Sequence, residues 1–168
     1  MIILLNWPCG IWKSTIAKLL WDKIPMSLLR EKDVQKRNFS HYKDTKENQR
    51  ISADLILKLT KNVIKFGIEN NQTIIFDSIL RQEEIIKDFE KFVVENWWKI
   101  LHILLNAPKN IWKERILERW ISGSFTFERA EMFYDNLQII KNIWNMIEID
   151  TSDTNPEKIC KIILDKII

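Results

Sequence analysis

Three observations predict an α/β domain built on a mainly parallel sheet. Short apolar runs alternate with longer stretches of helical periodicity along the 168 residues. Ile2–Leu5 is continuously apolar, as in a strand covered on both faces, and Thr73–Phe76 and Ile100–Leu105 are largely apolar runs of strand length. The helical stretches carry boundary signals of their own, with Pro108 ahead of one and Asn155-Pro156 opening another.

In order, Ile2–Leu5 is the first strand and Lys13–Lys23 the helix after it, with Ile16, Leu19 and Leu20 on one side. A weaker strand, Met26–Leu29, follows Pro25. Residues 34–47 are polar and basic without clear periodicity, a loop or short helix on the substrate side. From about Gln49 to Glu69, Ile51, Leu55, Leu59, Val63 and Phe66 recur at helical spacing. Thr73–Phe76 is a buried strand closed by Asp77, Arg81–Glu95 a helix, and Ile100–Leu105 the clearest strand of the chain. Asn110–Arg119 is the next helix, and a Ser/Gly loop over 121–126 leads into another at about Glu128–Asn142. Met146–Ile149 is a fifth strand, and Pro156 opens a helix that runs to the end.

Hydrophobic residues make up 46% and charged residues 29%, a balance that argues against disorder. Lys and Arg exceed Asp and Glu by 26 to 23; a net charge of +3 does not by itself predict nucleic acid or membrane as a partner. Cys9 and Cys160 have neither metal-ligand nor disulfide spacing, which suits a reducing compartment. There is no signal-peptide pattern and no apolar run of the roughly 18 residues a membrane span needs. A single cytoplasmic domain over 1–168, monomeric or homodimeric, is the expectation.

After the first strand comes Asn6-Trp7-Pro8-Cys9-Gly10-Ile11-Trp12-Lys13-Ser14-Thr15. The phosphate-binding signature between a strand and a helix is G-x-x-x-x-G-K-[ST]. Everything matches except that Trp7 and Trp12 stand at the two signature glycines. In such a loop, backbone N–H groups from Cys9 through Thr15 surround a β-phosphate. Lys13 brings a mobile positive charge to the β- and γ-phosphates, and the Ser14 hydroxyl is a ligand for Mg²⁺. An indole at Trp12 crowds the anion, and a left-handed backbone there would cost about 1–2 kcal/mol. Read literally, the loop binds nucleotide poorly.

The chain holds 3 glycines against 8 tryptophans, where about 7% glycine is usual. Trp97-Trp98 stands where a Gly-Gly turn is expected, Trp120 at a helix C-terminus and Trp21 near another helix end. Trp112, inside a helix, is plausible as tryptophan. Some uncultivated bacteria read UGA as glycine, while common alternative tables read it as tryptophan. Glycine at 7, 12, 21, 97, 98 and 120 in the living protein is therefore one expectation, and decay of the nucleotide site is the other.

With the loop, the later strands and the arginine-rich segment together, nearly the whole chain resembles the P-loop kinases. That group spans nucleotide, shikimate and gluconate kinases and the chloramphenicol phosphotransferase and zeta-toxin-like enzymes. The resemblance implies a three-layer P-loop NTPase fold, with a five-stranded mainly parallel sheet flanked by helices and a short lid. It implies ATP and Mg²⁺ as cofactors and phosphoryl transfer to a small-molecule or nucleotide acceptor. A polynucleotide or toxin-like kinase and a non-catalytic nucleotide binder are the alternatives.

Residue by residue, Asp33 and Arg37 resemble the acidic and basic acceptor-site pair after the second strand, with Glu31 the rival acid. Asp77 is similar to the acidic residue that ends the third strand and helps hold Mg²⁺ or the acceptor; a helix cap is the plainer reading. Arg81 just beyond suits an anionic acceptor. Arg115, Arg119 and Arg129 resemble lid arginines that neutralise the transferring phosphoryl group, one of them stacking on adenine, although ion pairs along the helix would also use them. Lys13, Asp33 and Arg119 are the expected catalytic residues, with Ser14 and Asp77 on the metal. The segment Thr151–Thr154 resembles the loop bordering the adenine, while His41 and His102 have no catalytic context.

Overall fold

The computed structural model describes residues 1–6, 12–31, 46–77, 83–119, 127–143 and 146–167. Five strands form one sheet: β1 (Ile2–Asn6), β2 (Ser27–Glu31), β3 (Thr73–Asp77), β4 (Ile100–Asn106) and β5 (Ile147–Asp150). Six helices accompany them: α1 (Lys13–Lys23), α2 (Lys46–Glu69), α3 (Glu83–Glu95), α4 (Lys109–Arg119), α5 (Phe127–Ile143) and α6 (Pro156–Leu164). The strand order is β2-β3-β1-β4-β5, and all four pairings are parallel.

The continuous apolar runs are explained by a core on each face. On one face Ile3, Leu5, Ile75, Ile103 and Leu105 pack with Ile16 and Leu20 of α1, Trp112 of α4 and Ile159 of α6. On the other, Ile2, Leu4, Ile74 and Phe76 pack with Ile64 of α2 and with Phe89 and Val93 of α3. All of these side chains are buried, so every central strand is covered twice. The Asn155 side chain caps α6 by accepting the Lys158 N–H at 2.8 Å, with Pro156 at the first helical position as its sequence predicts.

Two expectations are corrected. β2 spans 27–31 rather than 26–29, because Met26 adopts φ 56° in the turn after Pro25. In α2 the helix is where periodicity puts it, but the buried stripe is not Leu55, Leu59 and Phe66, which are exposed. Thr60, Ile64 and Gly67 face inward instead. α2 comes close to β3 at Gly67, where a Cβ would lie 2.1 Å from Ile74 Cδ1 and that side chain would have to shift.

His102 lies in the middle of β4, buried, with no hydrogen-bond partner at either ring nitrogen. Burial lowers its pKa from 6.5 to about 4, so the fold holds the neutral imidazole. The unfolded chain takes up the proton first. The stability His102 confers is therefore whole above pH 6.5 and is lost as pH falls toward 4, a loss of about 3 kcal/mol at most. Subtracting denaturation midpoints of His102→Leu from those of the parent across pH 7 to 4 isolates this dependence, and a pH-independent difference would refute it.

Candidate functional site

The C-terminal ends of β1 and β3 are neighbours, with Leu5 in register with Asp77. The connection from β1 leads to β2 on one side and that from β3 leads to β4 on the other, so a crevice opens between these two strand ends. α1 begins beside it. Lys13 Nζ lies 2.7 Å from Asp77 Oδ1, and Ser14 Oγ donates to Asp77 Oδ2 at 3.0 Å. The Asp77 side chain is only 3% exposed. A carboxylate so buried requires a partner, and Lys13 balances its charge while Ser14 satisfies the second oxygen. Asp77 thus grips the first turn of α1. Its hard oxygen and the Ser14 hydroxyl stand side by side, a donor pair suited to Mg²⁺.

Trp12 is the N-cap of α1 and makes no side-chain cap bond. Its φ of −65° and ψ of 37° are not left-handed, so the backbone-strain argument does not apply at this position. What the indole does is fill space: it packs against the core, and the Arg115 guanidinium lies 4.8 Å from its ring centre. Arg115 is directed to the loop after β5. It donates to Thr151 Oγ1 at 3.0 Å, to the Thr151 carbonyl at 2.7 Å and to the Ser152 carbonyl at 2.9 Å. The adenine-bordering segment expected at Thr151–Thr154 is therefore bracketed by Arg115, whose planar fork fits two adjacent carbonyls.

Sequence reasoning missed the other half of this bracket. Thr151 is buried and gives both its N–H and its hydroxyl to the Asn106 carbonyl at the end of β4, each at 2.8 Å. The Asn106 side chain exchanges hydrogen bonds with Gln138 of α5 and donates to Glu148 of β5. A polar residue ending an apolar strand was the available signal. Nearby, the Ser152 hydroxyl and N–H donated to Asp150 hold its carboxyl below the usual carboxylate range.

α4 and α5, which flank residues 120–126, are tied together at the surface. Lys109 reaches Glu131 at 3.1 Å and Asp135 at 2.9 Å, and Lys113 reaches Glu131 at 3.0 Å. Arg119 is the last residue of α4, and Arg129 lies in the first turn of α5. In sequence they border the expected lid from both ends. Glu31, the rival acid, ends β2 in register with Asp77, which puts its backbone at the same sheet edge. Trp7, Cys9, Gly10, Ile11, Asp33, Arg37, His41, Arg81, Trp120 and Gly123 lie outside the described residues, as does most of the 34–47 segment.

No family model matches the sequence, and no curated protein matches it either. Solved structures do. A tunicamycin resistance protein from Deinococcus radiodurans superposes with a TM-score of 0.70 at 17% identity, over 99% of this chain and 94% of its own. The deoxyadenosine kinase of M. mycoides gives 0.64 at 18% identity, over 99% and 98%. Shikimate kinase from Aquifex aeolicus gives 0.59 at 20% identity, over 99% and 96%. The fold is that of the P-loop kinases. β1 ends at Asn6 and α1 begins at Lys13. The Lys13–Asp77–Ser14 cluster sits at the start of α1.

Proposed function

We propose that the protein is an ATP-dependent phosphotransferase acting on a small molecule or nucleotide. The observation that carries this reading is the Lys13–Asp77–Ser14 cluster at the mouth of the β1–β3 crevice. Neighbours named as a deoxyadenosine kinase and a shikimate kinase support a small acceptor.

Ser14 and Asp77 would hold Mg²⁺, which when bound neutralises charge on the phosphates. Lys13, on a flexible four-carbon stem, exchanges Asp77 for the β- and γ-phosphates. Arg115 orients the base side through the Thr151–Ser152 loop, while Arg119 and Arg129 meet the transferring group. The acceptor oxygen bonds to the γ-phosphorus as the bond to the ADP oxygen breaks, and the acceptor proton passes to Asp33 or Glu31. Arg37 and Arg81 hold an anionic acceptor. Among the described residues no helix is long and apolar enough to cross a membrane. A cytoplasmic monomer or homodimer is part of the same proposal.

A second reading, a passive nucleotide binder, draws on the indole of Trp12 at the N-cap of α1. Turnover separates the two. In the chain carrying Trp7→Gly and Trp12→Gly, MgATP should bind more tightly than in the chain as translated. There Arg119→Ala should lower kcat more than it weakens ATP binding, with little rescue by Arg119→Lys. ATP binding without turnover on any hydroxyl or phosphate acceptor would favour the binder; no ATP binding in either chain would defeat both.

A further inference from the structure

The backbone at residue 97 has the conformation of a glycine. α3 ends with two reversed bonds: the Trp97 N–H donates to the Val94 carbonyl at 2.9 Å and the Trp98 N–H to the Val93 carbonyl at 3.1 Å. Trp97 itself adopts φ 59°. This is the Schellman terminus, whose left-handed residue is usually glycine and sometimes asparagine. α2 ends the same way with the tolerated residue: Asn71 at φ 53° donates to Ile68, and Gln72 donates to Gly67. At Trp97 the indole gains nothing in return, being 95% exposed.

A left-handed residue alone does not settle the matter, since Met26 is another. What singles out Trp97 is that the same residue type also replaces both glycines of the phosphate loop in a chain with only 3 glycines. We propose that positions 7, 12 and 97 are glycine in the protein made by its own cell, encoded by a codon that other tables read as tryptophan. The phosphate-loop signature G-x-x-x-x-G-K-S is then complete in the sequence. At 7 and 12 the proposal rests on the nucleotide-site reading; at 97 it rests on backbone geometry together with the residue type shared with those two positions. Trp112, buried and ringed by aromatics, stays tryptophan. Trp12 too packs against the core and lies against Arg115, so its place in the proposal rests on the loop signature alone. Trp21, whose indole N–H donates to the Ser27 carbonyl, and Trp98, packed against the core, have contacts and no signature position, and the inference stops short of them.

Mass spectrometry of the native protein decides it through two tryptic peptides, Met1–Lys13 and Phe92–Lys99. Masses for glycine at 7, 12 and 97 are expected, and tryptophan at 97 overturns the proposal. A recombinant comparison tests the geometry without nucleotide. Trp97→Gly should raise Tm by about 2–4 °C, and Trp97→Ala should raise it less because its Cβ keeps the strain. Equal gains from both variants would count against the backbone argument. Neither readout depends on kinase activity. Glycine at 7 and 12 in a native protein that binds no MgATP would sink the nucleotide reading and leave this one standing. Tryptophan at all three positions in a chain that binds MgATP would do the reverse.

Discussion

Lys13→Ala, made in the chain carrying glycine at 7 and 12, is expected to lower turnover by about 10²–10³-fold. The ammonium stands at the β1–β3 crevice, held against Asp77 at 2.7 Å. That resting pair makes the variant informative in two ways. Without Lys13, the buried Asp77 carboxylate loses its balancing charge, so the unliganded protein should also lose stability. Adding Mg²⁺ should then stabilise the variant more than the parent, because a second cation can occupy the place beside Asp77 and Ser14. Steady-state turnover and thermal melts with and without Mg²⁺ read both effects. Turnover within a few-fold of the parent would mean that phosphate is bound elsewhere, and the site assignment would fall with it.

The elements were legible in the sequence because the central strands are largely apolar and α6 carries its own cap. Lys13–Lys23 and the Asn155–Pro156 start match to the residue. Pairing across the chain was not legible. Ser14 and Asp77 are 63 residues apart, and each was found by its local context, but nothing local says that one donates to the other. Arg115 shows the same limit: its helix was read correctly, yet its partners Thr151 and Ser152 are chosen by where β5 ends beside β4. The inward stripe of α2 was misread for a related reason. Periodicity marks which positions are apolar, but which of them face inward depends on the partner surface, here β3, which α2 approaches closely at Gly67.

Trp112→Ala should act in the opposite sense to Trp97→Gly, and by a larger amount. Trp112 is fully buried, with its ring centre 4.8 Å from that of Tyr134 and 6.0 Å from that of Phe127. It joins α4 to α5, and Tyr134 in turn donates its hydroxyl to the Ala107 carbonyl at 2.8 Å. Removing the indole leaves a cavity between two helices that the surface lysine–carboxylate pairs cannot close, since such exposed pairs are each worth about 0–1 kcal/mol. A loss of about 3–5 kcal/mol is expected, a fall in Tm of roughly 6–20 °C. The damage should reach the site as well, because α4 carries Arg115 and its grip on Thr151. Trp112→Phe, which keeps an aromatic ring against Tyr134, should recover part of both. A melt of Trp112→Ala within 2 °C or so of the parent would mean that the α4–α5 contact is not built on this side chain. Tryptophan would then have no demonstrated structural role at the position where this fold makes the strongest case for it.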